Sequence, residues 1–129
     1  MPHISRNPLG PSAEKELIRT LKIVLTKLTK EEDMDQFLLA LLTPTEQLML
    51  AKRLAMIVLL KEGLPETSIA ENLHVTRGTV SKMQLFLEAR GQGYQIGLQV
   101  LENEKLMSEV KELILKLGRY SVKAAGGRL

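Results

Sequence analysis

Glu66-Thr67-Ser68-Ile69-Ala70-Glu71-Asn72-Leu73-His74-Val75-Thr76-Arg77-Gly78-Thr79-Val80-Ser81-Lys82-Met83 is the stretch on which the reading of this chain turns. Ile69 and Leu73 lie one helical turn apart, Val80 and Met83 another, and Val75 stands between the pairs. Two short helices crossing at a steep angle could therefore share one small core. Ala70 is small where the second helix must come close, and Thr76 can cap that helix. The pattern is that of a helix-turn-helix over residues 66–87. Such motifs set the first residues of their second helix against base edges, where arginine bonds guanine and Thr or Ser reach bases or phosphate. The candidate DNA contacts are Thr76, Arg77, Gly78, Thr79, Ser81, Lys82 and Gln84. A plain helical hairpin would show the same apolar spacing. Against it, Arg77, Thr79, Ser81 and Lys82 form a polar cluster without an acid, whereas solvated faces elsewhere in the chain mix Glu with Lys. His74 takes the turn position, which calls for positive φ, and it is read as a turn residue rather than a ligand or pH switch.

Upstream, residues 1–12 contain Pro2, Pro8, Gly10 and Pro11 and are expected to form a flexible leader. Ile18, Leu21, Leu25 and Leu28 then recur at helical spacing between charged residues, which predicts an amphipathic helix. Thr29 with Glu32 has the form of a capping box for a short helix bearing Met34, Phe37, Leu38, Leu41 and Leu42. Thr43-Pro44-Thr45-Glu46 has the same form and opens a helix over residues 44–62. That helix is apolar on every side from Leu54 to Leu60, so it should be central, and a partner subunit is the expected cover for faces one small chain cannot bury. Gly63 suits the left-handed backbone that ends a helix. Downstream, Gly91-Gln92-Gly93 is expected to end the second motif helix. A final helix is predicted between Tyr94 and Leu117, with Leu106, Val110, Leu113 and Leu117 on one face.

The chain has 129 residues, room for one domain's core, expected over residues 13–117. Aromatics supply only 3%, so the core must be aliphatic, which disfavours an aromatic-rich sandwich and favours an all-α fold of five to six helices. There is no cysteine, which removes disulfides, thiol nucleophiles and cysteine-type zinc sites. His3 and His74 are the only histidines, too few and too far apart for a metal site or a triad. No metal and no cofactor is called for. The first residues do not read as a signal peptide, and the longest apolar run, residues 54–60, falls far short of the ~20 residues a membrane helix needs. A cytoplasmic protein without membrane contact is expected. The formal net charge is +3, and residues 118–129 hold Arg119, Lys123 and Arg128 with no acid. That segment therefore carries the whole excess and is read as a flexible basic tail.

A resemblance emerges when these pieces are set side by side. Phe37-Leu38, then Leu42-Thr43-Pro44-Thr45-Glu46, Arg53, Gly63, the helix-turn-helix and Thr79-Val80-Ser81-Lys82 together resemble the Trp repressor superfamily over about residues 35–94. The ending Arg90-Gly91-Gln92-Gly93-Tyr94 is closer to its Trp-repressor-like branch than to the Trp repressor itself. The resemblance implies an all-α, intertwined homodimer presenting two recognition helices to successive major grooves. It also implies a possible effector pocket at Thr43, Arg53, Lys82 and Met83, with Arg53 matching a pocket arginine and Lys82 standing at the position of a second. Met83 falls where the repressor has a glycine beside the indole, so tryptophan is not the expected effector, and any other small-molecule effector is left open. Thr67 and Ala70 stand where the repressor has basic residues that contact DNA.

The function expected is that of a homodimeric, sequence-specific regulator of transcription that binds double-stranded DNA. The alternative is a helical interaction module that recruits another protein through the apolar stripes of residues 13–28 and 98–117 and never touches DNA. An enzyme is not expected: Glu31, Glu32, Asp33 and Asp35 stand at a helix start, where carboxylates complement the helix dipole.

Overall fold

A computed structural model describes the backbone of residues 9–126 and the side chains of residues 9–116. Among the described residues the chain is all-α, with seven helices and no strand: α1 (Pro11–Lys27), α2 (Glu31–Leu41), α3 (Pro44–Lys61), α4 (Glu66–Leu73), α5 (Arg77–Ala89), α6 (Gly91–Asn103) and α7 (Met107–Gly126). The chain divides into two compact units, Met1–Thr45 and Glu46–Leu129.

In the first unit α1 starts on Pro11, whose missing N–H costs nothing in a first helical turn. Glu14 in that turn and Lys27 in the last complement the helix dipole. None of its residues is buried, and Leu17, Ile18, Leu21 and Ile23 are exposed. The capping box expected at Thr29 and Glu32 does not form. Lys30 is the N-cap of α2 and gives no side-chain bond, and Glu31, Glu32 and Asp33 fill the first turn. Three carboxylates beside four unpaired N–H groups stabilise that end without a hydroxyl cap. Residues 1–8 of the expected leader lie outside the described residues.

The core of the second unit is built around α3. Ala55, Met56, Ile57, Val58 and Leu59 are buried in succession, together with Ile69, Ala70 and Leu73 of α4, Val80 and Met83 of α5, and Leu98 and Leu101 of α6. Met107, Val110 and Ile114 of α7 pack against this cluster. One chain thus covers most of the apolar run on α3, which corrects the expectation that a partner must do so. The apolar residues it leaves open lie earlier on the helix, at Leu48, Met49, Leu50 and Leu54.

Three of the helices stop in the same way. After α3, Gly63 has φ of 85°, its N–H bonds the Leu60 carbonyl, and the Leu64 N–H bonds that of Leu59. After α4, His74 has φ of 55° and ψ of 49°, with bonds from His74 N–H to Glu71 and from Val75 N–H to Ala70. After α6, Lys105 has φ of 57°, with bonds from Lys105 N–H to Glu102 and from Leu106 N–H to Leu101. Each is a Schellman turn, in which a left-handed residue lets two N–H groups return to the last carbonyls; at the first two the next residue, Leu64 or Val75, packs against the core, whereas Leu106 stays exposed.

The third of these turns is the reason for seven helices rather than five to six. The single helix expected over residues 94–117 is interrupted at Lys105, with neither glycine nor proline to mark the place. The preceding break also differs from expectation. Arg90 donates its N–H to the Phe86 carbonyl while its own carbonyl accepts from Gly93 and Tyr94, so one residue closes α5 and opens α6. Gly91 and Gly93 lie in the first turn of α6 rather than in a loop. Finally, α7 runs past Gly118 to Gly126, because one interior glycine costs a helix only about 1 kcal/mol relative to alanine. The side chains of Arg119, Lys123 and Arg128 lie outside the described residues.

Candidate nucleic-acid interface

The two helices of the motif are held by a shared apolar face and by a polar tie. Ile69 and Val80 are fully buried, and Leu73 and Met83 nearly so. Val75, placed by the turn at His74, packs against the same cluster. Across the helices the Ser81 hydroxyl donates to Glu66 Oε1 at 2.6 Å. α4 also packs against α7, so the motif's first helix is held by two neighbours. An ion pair at 3.8 Å between Lys111 of α7 and Glu62 at the end of α3 adds a weak, half-exposed link.

The start of α5 is the exposed edge of this assembly. Thr76 is its N-cap and accepts from the Thr79 N–H at 3.1 Å. The two hydroxyls also bond each other at 2.8 Å. Arg77, Gly78, Thr79 and Lys82 are exposed, and neither Arg77 nor Lys82 forms an ion pair among the described residues. The buried Val80 and Met83 anchor the inner face of the same helix, which leaves the outer face of its first turn open to a partner. No acidic residue lies in that turn. The start of a helix and two exposed cations without ion pairs, in a turn that holds no acid of its own, suit a polyanion.

Of the seven residues singled out in the sequence, the structure sets Thr76, Arg77, Gly78, Thr79 and Lys82 on the exposed side of one helix end. Ser81 is half-buried and committed to Glu66, and Gln84 donates to Glu88 Oε1 at 3.2 Å. Glu66 is the residue that the sequence reading missed. It stands fifteen positions before Ser81, and only the crossing of α4 over α5 brings the two together. The four residues of the possible effector pocket are placed as follows. Thr43 belongs to the first unit, Arg53 and Lys82 are exposed, and Met83 gives its side chain to the core, with 5% exposure.

The family model described as Trp repressor protein matches residues 16–102, well over half of the chain. The chain belongs to the Trp repressor family. Membership agrees with the helix-turn-helix geometry and places the protein among DNA-binding regulators, a family that is not enzymatic. The match to the Trp repressor family ends before α7, so the helix that backs α4 begins beyond it. Comparison with curated proteins and with solved structures gives no match. Among the described residues there is no group of three or more His, Cys, Asp or Glu able to hold a metal, and no helix is long and apolar enough to cross a membrane.

Proposed function

We propose that this protein is a homodimeric, sequence-specific regulator of transcription that inserts the start of α5 into the major groove of double-stranded DNA. The observation that carries the reading is the capped, acid-free first turn of α5, with Arg77 and Lys82 exposed above a buried Val80 and Met83. Arg77 is the base-reading residue and Lys82 meets phosphate. Thr76 holds the helix start, and Ser81 serves the reading through Glu66, by fixing α5 on α4. The basic residues within 118–129 add counter-charge for the phosphate backbone.

Support for a homodimer comes from apolar surface rather than from any partner contact. Leu50 is 52% and Leu54 43% exposed on α3, and α1 carries Leu17, Ile18, Leu21 and Ile23 in the open. Large apolar side chains left exposed on each of these helices are candidates for association. The same side chains favour the second reading, a helical interaction module with another protein as its partner.

The deciding experiment is selection of bound duplexes from a random pool by the full-length protein. An enriched palindrome supports DNA reading and two-fold assembly together, because half-site symmetry mirrors subunit symmetry. Absence of duplex binding at low salt selects the interaction module.

A further inference from the structure

The start of α5 offers fewer hydrogen-bonding groups to DNA than its composition suggests. Thr79 is exposed, yet its Oγ1 lies 2.8 Å from Thr76 Oγ1, which also accepts the Thr79 N–H at 3.1 Å. Backbone and hydroxyl of Thr79 are thus turned back onto the same cap oxygen. Rotating the hydroxyl outward would break a bond of the cap. With Oγ1 held inward, the group that Thr79 presents to a partner is its methyl, Cγ2.

The neighbouring position keeps that methyl accessible. Gly78 lacks positive φ, and a Cβ built on it would meet nothing closer than Thr76 Oγ1 at 3.9 Å, an ordinary contact. The fold therefore has no steric need for glycine there, and a glycine in a helix is a small cost in stability. What its absent side chain provides is room beside Thr79 for another surface to approach. In the major groove the one apolar group on a base edge is the C5-methyl of thymine, and a threonine methyl is a suitable contact for it.

We infer that Thr79 reads a thymine through its methyl group and not through its hydroxyl. The inference rests on the DNA-binding reading given above and specifies one base of the half-site. Thr76 also carries a methyl, but it stands outside the helix as the cap, and it serves as the control.

The test uses the full-length protein and its selected duplex, with each thymine replaced in turn by deoxyuridine, which removes only the C5-methyl. One thymine per half-site should lose affinity by about fourfold, the worth of one buried methyl group. That loss should disappear in Thr79→Ser, which keeps the hydroxyl bond, and persist in Thr79→Val, which keeps the methyl. Thr76→Ser should leave it unchanged. A purely structural role would give the reverse for the first two variants: Thr79→Ser neutral toward both bases, Thr79→Val weakened equally on thymine and uracil. Binding with no methyl-sensitive thymine, or with a sensitivity that survives Thr79→Ser, overturns this inference alone. Failure to bind any duplex overturns the DNA-binding reading and this inference with it.

Discussion

Lys105→Gly should stabilise the protein, although it places a glycine in a stretch that otherwise reads as helix. Lys105 has φ of 57°, where an L side chain crowds its own backbone at a cost of roughly 1–2 kcal/mol. Glycine removes that cost but loses more chain entropy on folding, about 0.5–1 kcal/mol. The difference is a gain of about 0.5–1 kcal/mol. Lys105 is exposed and has no ion pair among the described residues, so no side-chain contact offsets it. With a urea dependence of about 1.5 kcal/mol per molar, the midpoint should rise by roughly 0.3–0.7 M with an unchanged slope. Lys105→Val should lower it, since a β-branched side chain tolerates positive φ least. The assay is urea unfolding followed by circular dichroism, at one fixed protein concentration so that association does not confound the comparison. The sign decides between two structures. If α6 and α7 were one unbroken helix, as the spacing of Leu106, Val110 and Leu113 suggests, glycine at 105 would destabilise by about 1 kcal/mol. A lowered midpoint would therefore refute the Schellman turn.

Arg77→Ala should cost roughly 1–3 kcal/mol on the selected site and relax preference at one base pair of each half-site, whereas Lys82→Ala should weaken all duplexes about equally. Binding titrations on matched and scrambled duplexes separate the two, and an unchanged affinity of Arg77→Ala would show that the docking is wrong. Ile57→Asp should unfold the protein, because a buried unpaired carboxylate costs several kcal/mol and Ile57 is only 6% exposed within one chain. Leu54→Asp, at an exposed position, should keep its helical circular dichroism and lose association in sedimentation, which separates folding from dimer formation. Tryptophan should leave DNA affinity unchanged, because the resemblance sets Met83 at the indole pocket and its side chain fills the core there, with 5% exposure. A tryptophan-dependent shift in a calorimetric titration of DNA would overturn that assignment.

What the sequence made legible follows from the range over which each signal acts. The αL turn at His74, the Thr76 cap and the Gly63 stop are set by residues within one or two helical turns, and their side chains state the geometry openly. Lys105 adopts the same backbone as His74 and Gly63 without belonging to the residue types that favour it, so local chemistry is silent there. Leu101 before the break and Met107 after it both pack into the core, a tertiary requirement that local chemistry does not carry. The Ser81–Glu66 bond was hidden for another reason, since an acid-free run of sequence need not be acid-free in space. The cover of α3 was likewise beyond reading. Hydropathy shows that residues 55–59 must be covered but cannot show that α4, α5, α6 and α7 supply that cover from within the same chain.

The clasping of α4 between α5 and α7 has a consequence for how the molecule breathes. A helix of eight residues is too short to persist alone in water, so α4 owes its order to the two helices that hold it. Loss of either neighbour weakens the hold on α4. Opening of the helix-turn-helix and undocking of the C-terminal helix are then coupled through the helix they share. Any partner that grips α7 lowers or raises the frequency of that opening, and so alters how long the reading edge of α5 stays assembled, without touching a residue of the motif itself.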